Sequence, residues 1–218
     1  MTFQAIDTDM IINQANASAT KAGIQLTWVR GYKGMLQAYF GDKFSTPQGA
    51  VSPMLFLRNI NDGGHALMIG VGLFRFVCMN GLVVGDNFYS QRVIHRSGPT
   101  LDEFLGNLEK NLDAAFETAA SLDIDGMVQE LVDREVTEKQ GIEVLASLPL
   151  PQNVIDSAIF RWVMPSRQED APRNLWSLYN VVNESNRVRS NSVQAFNREI
   201  SMLENIEALL EFNSQAAA

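Results

Sequence analysis

The sequence predicts an α+β fold: an antiparallel β-sheet with hairpins in the N-terminal half, packed against a C-terminal set of amphipathic helices. Three observations carry this reading. Short apolar runs broken by Gly, Asn and Asp fill residues 1–99, which is the punctuation of strands. Apolar residues at three- and four-residue steps take over after residue 100. Two capping signatures, at Thr100 and Thr137, open apolar-periodic segments in that second part. A length of 218 residues with 46% hydrophobic and 19% charged residues suits one ordinary domain, 1–218, with a mainly β layer over 1–99, a mainly helical layer over 100–213 and a frayed tail over 214–218.

The elements follow in order. Met10 to Ala22 reads as a short helix stopped by Gly23, and Ile24 to Arg30 and Gly34 to Phe40 read as strands around Gly31. Met54 to Ile60 and Ala66 to Val71 flank Asn61-Asp62-Gly63-Gly64, residues that tolerate the left-handed backbone of a tight hairpin. Leu73 to Met79 followed by Asn80-Gly81 and Leu82 to Val84 reads either as another hairpin or as a short helix entering a strand, and Phe88 to Arg96 as the last strand. Thr100 and Glu103 form a capping box before Leu101, Phe104, Leu105, Leu108, Leu112, Phe116 and Ala119, one apolar stripe. Thr137 and Gln140 open a helix closed by Pro149 and Pro151, and another helix runs to Trp162. Leu175 to Val182 and Val193 to Leu210 are helical, with Glu184 to Ser190 expected as a polar turn between them.

Charge is unevenly spread behind the net value of −8. Residues 1–99 sum to +3, 100–145 to −9 and 146–218 to −2, and Arg161 to Arg198 holds six arginines. A pI near 4.8 argues against coating duplex DNA through bulk positive charge. The single cysteine, Cys78, excludes an internal disulfide and a cysteine-held zinc, which fits a reducing, cytoplasmic compartment. Asp7 and Asp9 in the first ten residues are unlike a secretory signal, and no apolar run approaches the ~20 residues of a membrane span.

Enzyme signatures are missing on inspection. No Gly-Lys-Ser/Thr phosphate loop occurs, and Gly70-Val71-Gly72 is followed at the third fingerprint position by Arg75 instead of glycine. His65 and His95 stand apart with no second ligand at metal spacing, and Cys78 lies in an apolar run typical of a buried thiol. The chain therefore reads as non-enzymatic, with no cofactor and no metal. What remains is a surface: alternation puts Arg92, Ile94 and Arg96 on one strand face, and Arg75 sits between Phe74 and Phe76. Arg75, Arg92 and Arg96 are the candidate contacts for single-stranded nucleic acid, where guanidinium groups neutralise phosphates and aromatic rings stack bases; the alternative is that they snorkel from a sheet edge or pair with the acidic helical segment.

Leu73-Phe74-Arg75-Phe76-Val77-Cys78-Met79-Asn80-Gly81-Leu82-Val83-Val84-Gly85 resembles the core motif of the uncharacterised phage/plasmid-like proteins, a family found on phages, plasmids and prophages. Pro53 to Asn59 with Asp62-Gly63, Arg92 to Arg96 and Asn174-Leu175-Trp176-Ser177-Leu178-Tyr179-Asn180 resemble further blocks of it in the same order. Met79 departs from the small polar residue common there. The resemblance implies a mobile-element protein inside a bacterial cell but assigns no reaction. In outline the arrangement is similar to the single-strand annealing proteins of phage recombination, an analogy at fold level that implies a homo-oligomer. The competing expectation is a counter-defence protein whose acidic segment, with Glu109 and Glu117 in contact with a host defence protein, imitates nucleic-acid charge; Trp162, Trp176 and Tyr179 are its candidate anchors, although apolar members of helical stripes are more often core.

Overall fold

Local signals explain most element boundaries in the computed structural model, which describes residues 7–29, 35–46, 49–59, 67–76, 80–82, 90–93, 101–189, 198–199 and 201–216, with the backbone alone for 80–82, 90–93, 189 and 214–216. In chain order the elements are α1 (Thr8–Lys21), β1 (Thr27–Val29), β2 (Met35–Tyr39), β3 (Phe44–Thr46), β4 (Gly49–Arg58), β5 (Leu67–Arg75), β6 (Asn80–Leu82) and β7 (Ser90–Val93). They continue with α2 (Leu101–Ser121), α3 (Ile124–Asp133), α4 (Glu138–Ser147), α5 (Gln152–Val163), a 3-10 turn (Gln168–Asp170), α6 (Leu175–Arg189) and α7 (Met202–Ala216). This is the expected α+β arrangement, an antiparallel sheet from the N-terminal half followed by helices. Packing divides the chain into two compact units: Met1–Lys43, Ser52–Phe74 and Asp86–Leu122 form the first, and Phe44–Val51, Arg75–Gly85 and Asp123–Ala218 the second.

In the first unit, Asp7 caps α1 by accepting the Asp9 N–H at 3.1 Å. Gly23 ends it with φ +71° while its N–H donates to the Thr20 carbonyl, so the expected glycine stop is present. The first strand is shorter than Ile24 to Arg30; its three residues pair antiparallel with β2, Trp28 opposite Ala38. β2 pairs with β4 from Met35↔Arg58 to Tyr39↔Met54, β4 neighbours β5, and β7 lies antiparallel to β5 with Arg92 opposite Met68. The strand expected to end at Val71 runs on unbroken to Arg75, because Gly72 stays extended and Gly70 lies under the Phe56 ring, where a Cβ would collide with it. The hairpin connection Asn61 to Gly64 lies outside the described residues, as do Thr100 and the proposed cap it makes.

Every second residue of the central strands, Leu55 and Leu57 on β4 and Leu67, Ile69 and Val71 on β5, joins one buried cluster. Ile11, Ala15 and Ala19 of α1 and Phe104, Leu108, Leu112, Phe116 and Ala119 of α2 complete it, which realises the predicted stripe. Phe40 meets Phe116 edge-on at 5.6 Å. Full burial of each large apolar side chain contributes about 1.5–3 kcal/mol.

The second unit is helical around α6, which packs on α3, α5 and α7. It also holds a strand that the apolar pattern did not announce: β3 pairs with the start of β4 through Phe44↔Val51 and Thr46↔Gly49, and Gly49 takes φ +101° at that hairpin. α3, equally unannounced, begins at Asp123, whose carboxylate accepts the Gly126 N–H at 3.0 Å. The capping box at α4 is complete: the Gln140 N–H donates to Thr137 Oγ1 at 3.3 Å and the Thr137 N–H to Gln140 Oε1 at 2.9 Å. Gly141 of α4 leaves room for the fully buried Trp162 indole, whose Nε1–H donates to the Glu138 carbonyl at 3.1 Å.

One helix expectation is corrected. Glu184 to Arg189 is not a turn, since α6 continues through it; Asn183, Ser185 and Asn186 are weak helix formers, but all three are buried, and tertiary packing overrides propensity. The helix α7 runs to Ala216, two residues beyond Ser214, the expected start of the frayed tail, and residues 217–218 lie outside the described residues. Of Val193 to Leu210, the residues 193–197 and 200 lie outside the described residues.

Candidate functional site

The expected arginine surface is corrected at its first member. Arg75 ends β5 with its side chain 1% exposed, and its Nη1 donates to Asp170 Oδ1 at 2.6 Å, so the guanidinium is committed inside the second unit. Strand alternation determines a face but not what lies over it. Arg92 is placed in β7 by its backbone only, and Arg96, like His65, His95 and Cys78, lies outside the described residues.

Asp170 leads into a wider network. Its Oδ2 accepts from Arg167 at 3.2 Å, and Arg167 forms a two-pronged pair with Glu184 at 2.8 and 3.0 Å, an arrangement that matches guanidinium to carboxylate. Arg161 meets the same Glu184 at 3.0 Å. Burial alone would push the Glu184 carboxyl up, but the Arg167 hydrogen bonds and the Arg161 charge outweigh it and hold the pKa below its ordinary value. The hydrogen bond to Glu184 in turn raises the pKa of Arg167.

Other cations of the second unit are engaged in the same manner. Arg187 pairs with the buried Glu199 at 2.7 and 2.8 Å; burial dominates at Glu199 and raises its pKa despite Arg187. Arg134 reaches Glu207 at 3.0 Å, and Arg173 reaches Glu138 at 3.2 Å while lying 4.6 Å from the Trp162 ring centroid. Arg198 donates to Asn186 Oδ1 at 3.4 Å. The six-arginine stretch is thus largely an internal scaffold, with Arg161, Arg167, Arg173 and Arg187 all held by carboxylates.

Among the described residues of the second unit, carboxylates dominate the exposed charge. The second unit has nine Lys/Arg against fifteen Asp/Glu, and its surplus stands in solvent on α3, α4 and the segment joining them: Asp125, Glu130, Asp133, Glu135 and Glu143 are exposed. In the first unit, Glu117 on α2 is exposed, whereas Glu109 lies 3.5 Å from Lys21. Lys21 makes its closer contact with Asp113 at 2.6 Å, and that hydrogen bond raises its pKa. Glu117 is therefore the freer of the two predicted partner contacts. The candidate aromatic anchors Trp162, Trp176 and Tyr179 are fully buried core, and the large apolar groups that face solvent include Phe160 on α5 and Met164 just past its end, 64% and 62% exposed, Val188 on α6 and Phe212 on α7. Helical spacing reveals which residues share a face, but an aromatic residue on α5 looks the same in sequence whether it faces in or out.

The interior of α6 is unusually polar. Asn174 caps it through the Ser177 N–H at 2.9 Å, and Ser177, Asn180, Asn183, Ser185 and Asn186 follow, each at most 2% exposed. Neither amide atom of Asn183 has a hydrogen-bond partner among the described residues, nor have Trp176 Nε1, Ser177 Oγ and Ser185 Oγ. Among the described residues no three His, Cys, Asp or Glu side chains are grouped to hold a metal ion, and no helix is long and apolar enough to cross a membrane.

Comparison with known proteins gives relatives and no reaction. The UPF0380 proteins YafZ and YfjQ of Escherichia coli (strain K12) are 27% and 29% identical to this chain over 144 residues, which is 63% of this chain and 49% of each relative. The chain thus spans about half the length of the curated relatives it matches. No solved structure matches. The model of the domain of unknown function DUF932 matches residues 8–206, in keeping with the resemblance to an uncharacterised phage- and plasmid-associated family, and the chain belongs to the DUF932 family.

Proposed function

We propose that this protein acts inside the cell by binding another protein through its carboxylate-rich helical surface, without bond chemistry of its own. One observation carries the reading. Among the described residues of the second unit, Arg75, Arg161, Arg167 and Arg187 are held in ion pairs at most about a quarter exposed, while Asp125, Glu130, Asp133, Glu135 and Glu143 are exposed. Such a surface repels polyanions and attracts a protein with a basic binding face, raising the encounter rate and setting specificity. A partner that itself binds nucleic acid fits this chemistry, so counter-defence against a host protein is the cellular role we favour.

Binding of single-stranded nucleic acid is the competing reading, and without Arg75 it rests on Arg92 and Arg96. One experiment separates the two. The immobilised protein is exposed to bacterial lysate at low salt, and the same preparation is titrated with a labelled single-stranded oligonucleotide. We expect a stoichiometric protein partner that heparin displaces and that Glu130→Lys with Glu135→Lys weakens; Glu117→Lys tests the first unit separately. Capture of no protein, together with salt-sensitive oligonucleotide binding abolished by Arg92→Glu with Arg96→Glu, overturns the proposal.

A further inference from the structure

Strand β3 and α3, from Asp125 to Val132, wall an open groove of about 450 Å³ within the second unit. Its polar groups are biased toward accepting hydrogen bonds. Asp125 contributes a carboxylate, which only accepts when ionised. The Gln129 amide donates one Nε2–H to Asp133 Oδ1 at 2.6 Å, which leaves its second N–H to donate and its carbonyl oxygen to accept. The Thr46 hydroxyl has given its proton to the Gly49 carbonyl at 2.6 Å, and the Gly126 N–H is taken by Asp123 at 3.0 Å. Ser45 alone can turn its hydroxyl either way. Val128 and Val132 supply apolar wall alongside these acceptors.

A ligand matched to that lining is rich in donors, positively charged and joined to an aliphatic stem. The N-terminus of α3 opposes a cation with roughly half an elementary charge. The full carboxylates of Asp123 and Asp125 in the same turn exceed it. Between the two cationic side chains, the planar guanidinium fits better than an ammonium, because it can place parallel N–H groups on the Asp125 carboxylate and a further one on Gln129 while its stem lies on the valines.

We infer that this groove seats an arginine side chain of the protein partner. The inference rests on the protein-binding reading above and adds the chemistry of one contact. It is tested by NMR titration of the full ¹⁵N-labelled chain with a blocked Gly-Arg-Gly peptide, with its citrulline counterpart as the uncharged control of nearly the same shape.

Saturable shifts of the Gly126 backbone and Gln129 side-chain amides are expected with the arginine peptide and not with citrulline. Asp125→Asn, whose remaining spectrum reports that it is folded, is expected to weaken binding about five-fold, the scale of one exposed ion pair. Val132→Trp, filling the groove, is expected to abolish the response. Equal response to citrulline, no response, or shifts that spread over all acidic residues and ignore Asp125→Asn would overturn the inference. A lysate partner found alongside a null titration sinks the groove and leaves the protein-binding reading standing; the reverse result sinks that reading alone.

Discussion

The first unit buries a nearly pure apolar cluster between α1, α2 and the sheet, whereas the second packs its helices around α6, whose interior carries amides and hydroxyls, and encloses the Arg75–Asp170 pair. In the first, shape and area removed from water hold the elements together. In the second, part of the interior is specified by matched charges, which are worth little net stability when paired but cost much when one partner is removed. The difference teaches that Arg75, Arg161, Arg167 and Arg187 serve the fold of the second unit before they can serve a ligand.

The comparison is broken most severely at Asp170. Asp170→Ala strands Arg75, 1% exposed, without its carboxylate and is expected to cost about 3–5 kcal/mol in chemical denaturation. Joint replacement Arg75→Met with Asp170→Leu is expected to recover much of that loss, and failure to recover would show that the pair does more than satisfy itself. In the first unit, Leu108→Ala removes a fully buried side chain from the apolar cluster and is expected to cost about 2–5 kcal/mol, with no rescue by any charge change. Gly141→Ala drives a methyl group toward the Trp162 indole; about 1–3 kcal/mol of destabilisation and a changed tryptophan fluorescence are expected.

The pH dependence sharpens the contrast within the second unit. Glu184 has its folded pKa below the ordinary value of 4.5, so its contribution is present above that pH and is lost as pH falls through the folded value. The stability gap between the wild type and Glu184→Gln is therefore expected at neutral pH and should close in acid. Glu199 is shifted the other way: its contribution is present below 4.5 and lost as pH rises through its raised folded value. Glu199→Gln is therefore expected to gain on the wild type as pH rises, in denaturation midpoints measured across pH. The smallest effect is expected at Asn183→Leu, within about 1 kcal/mol of the wild type, because an amide buried without partners among the described residues loses no hydrogen bond there when replaced by an apolar group of similar size. A large loss there would mark Asn183 as a contact residue for something the fold encloses.

Much of this architecture was legible in the residues. Gly23 as a stop, the α2 stripe from Phe104 to Ala119 and the Thr137–Gln140 capping box are local devices, and a local device works wherever the chain places it. The β3 strand and the α3 helix escaped notice because Phe44–Thr46 is too short for alternation to register and because the acidity of Asp123 to Asp133 reads as solvated surface before it reads as a cap and a helix. The candidate site was less legible. That Glu117 faces solvent follows from the period of α2, but that Glu109 leans on Lys21 requires contact between residues 88 positions apart. Arg75 and Asp170 are 95 positions apart, and no spacing rule links them.

By itself the sequence determined the fold class, the acidic balance and the periodic faces of the helices, because each follows from composition or from the 3.6- and 2-residue repeats of a regular backbone. The tertiary structure alone decided which charges remain outside. An arginine is equally cationic on a surface and in a core, and only the carboxylate that the fold brings beside it, as Asp170 beside Arg75, determines whether its field reaches a partner or ends within the protein.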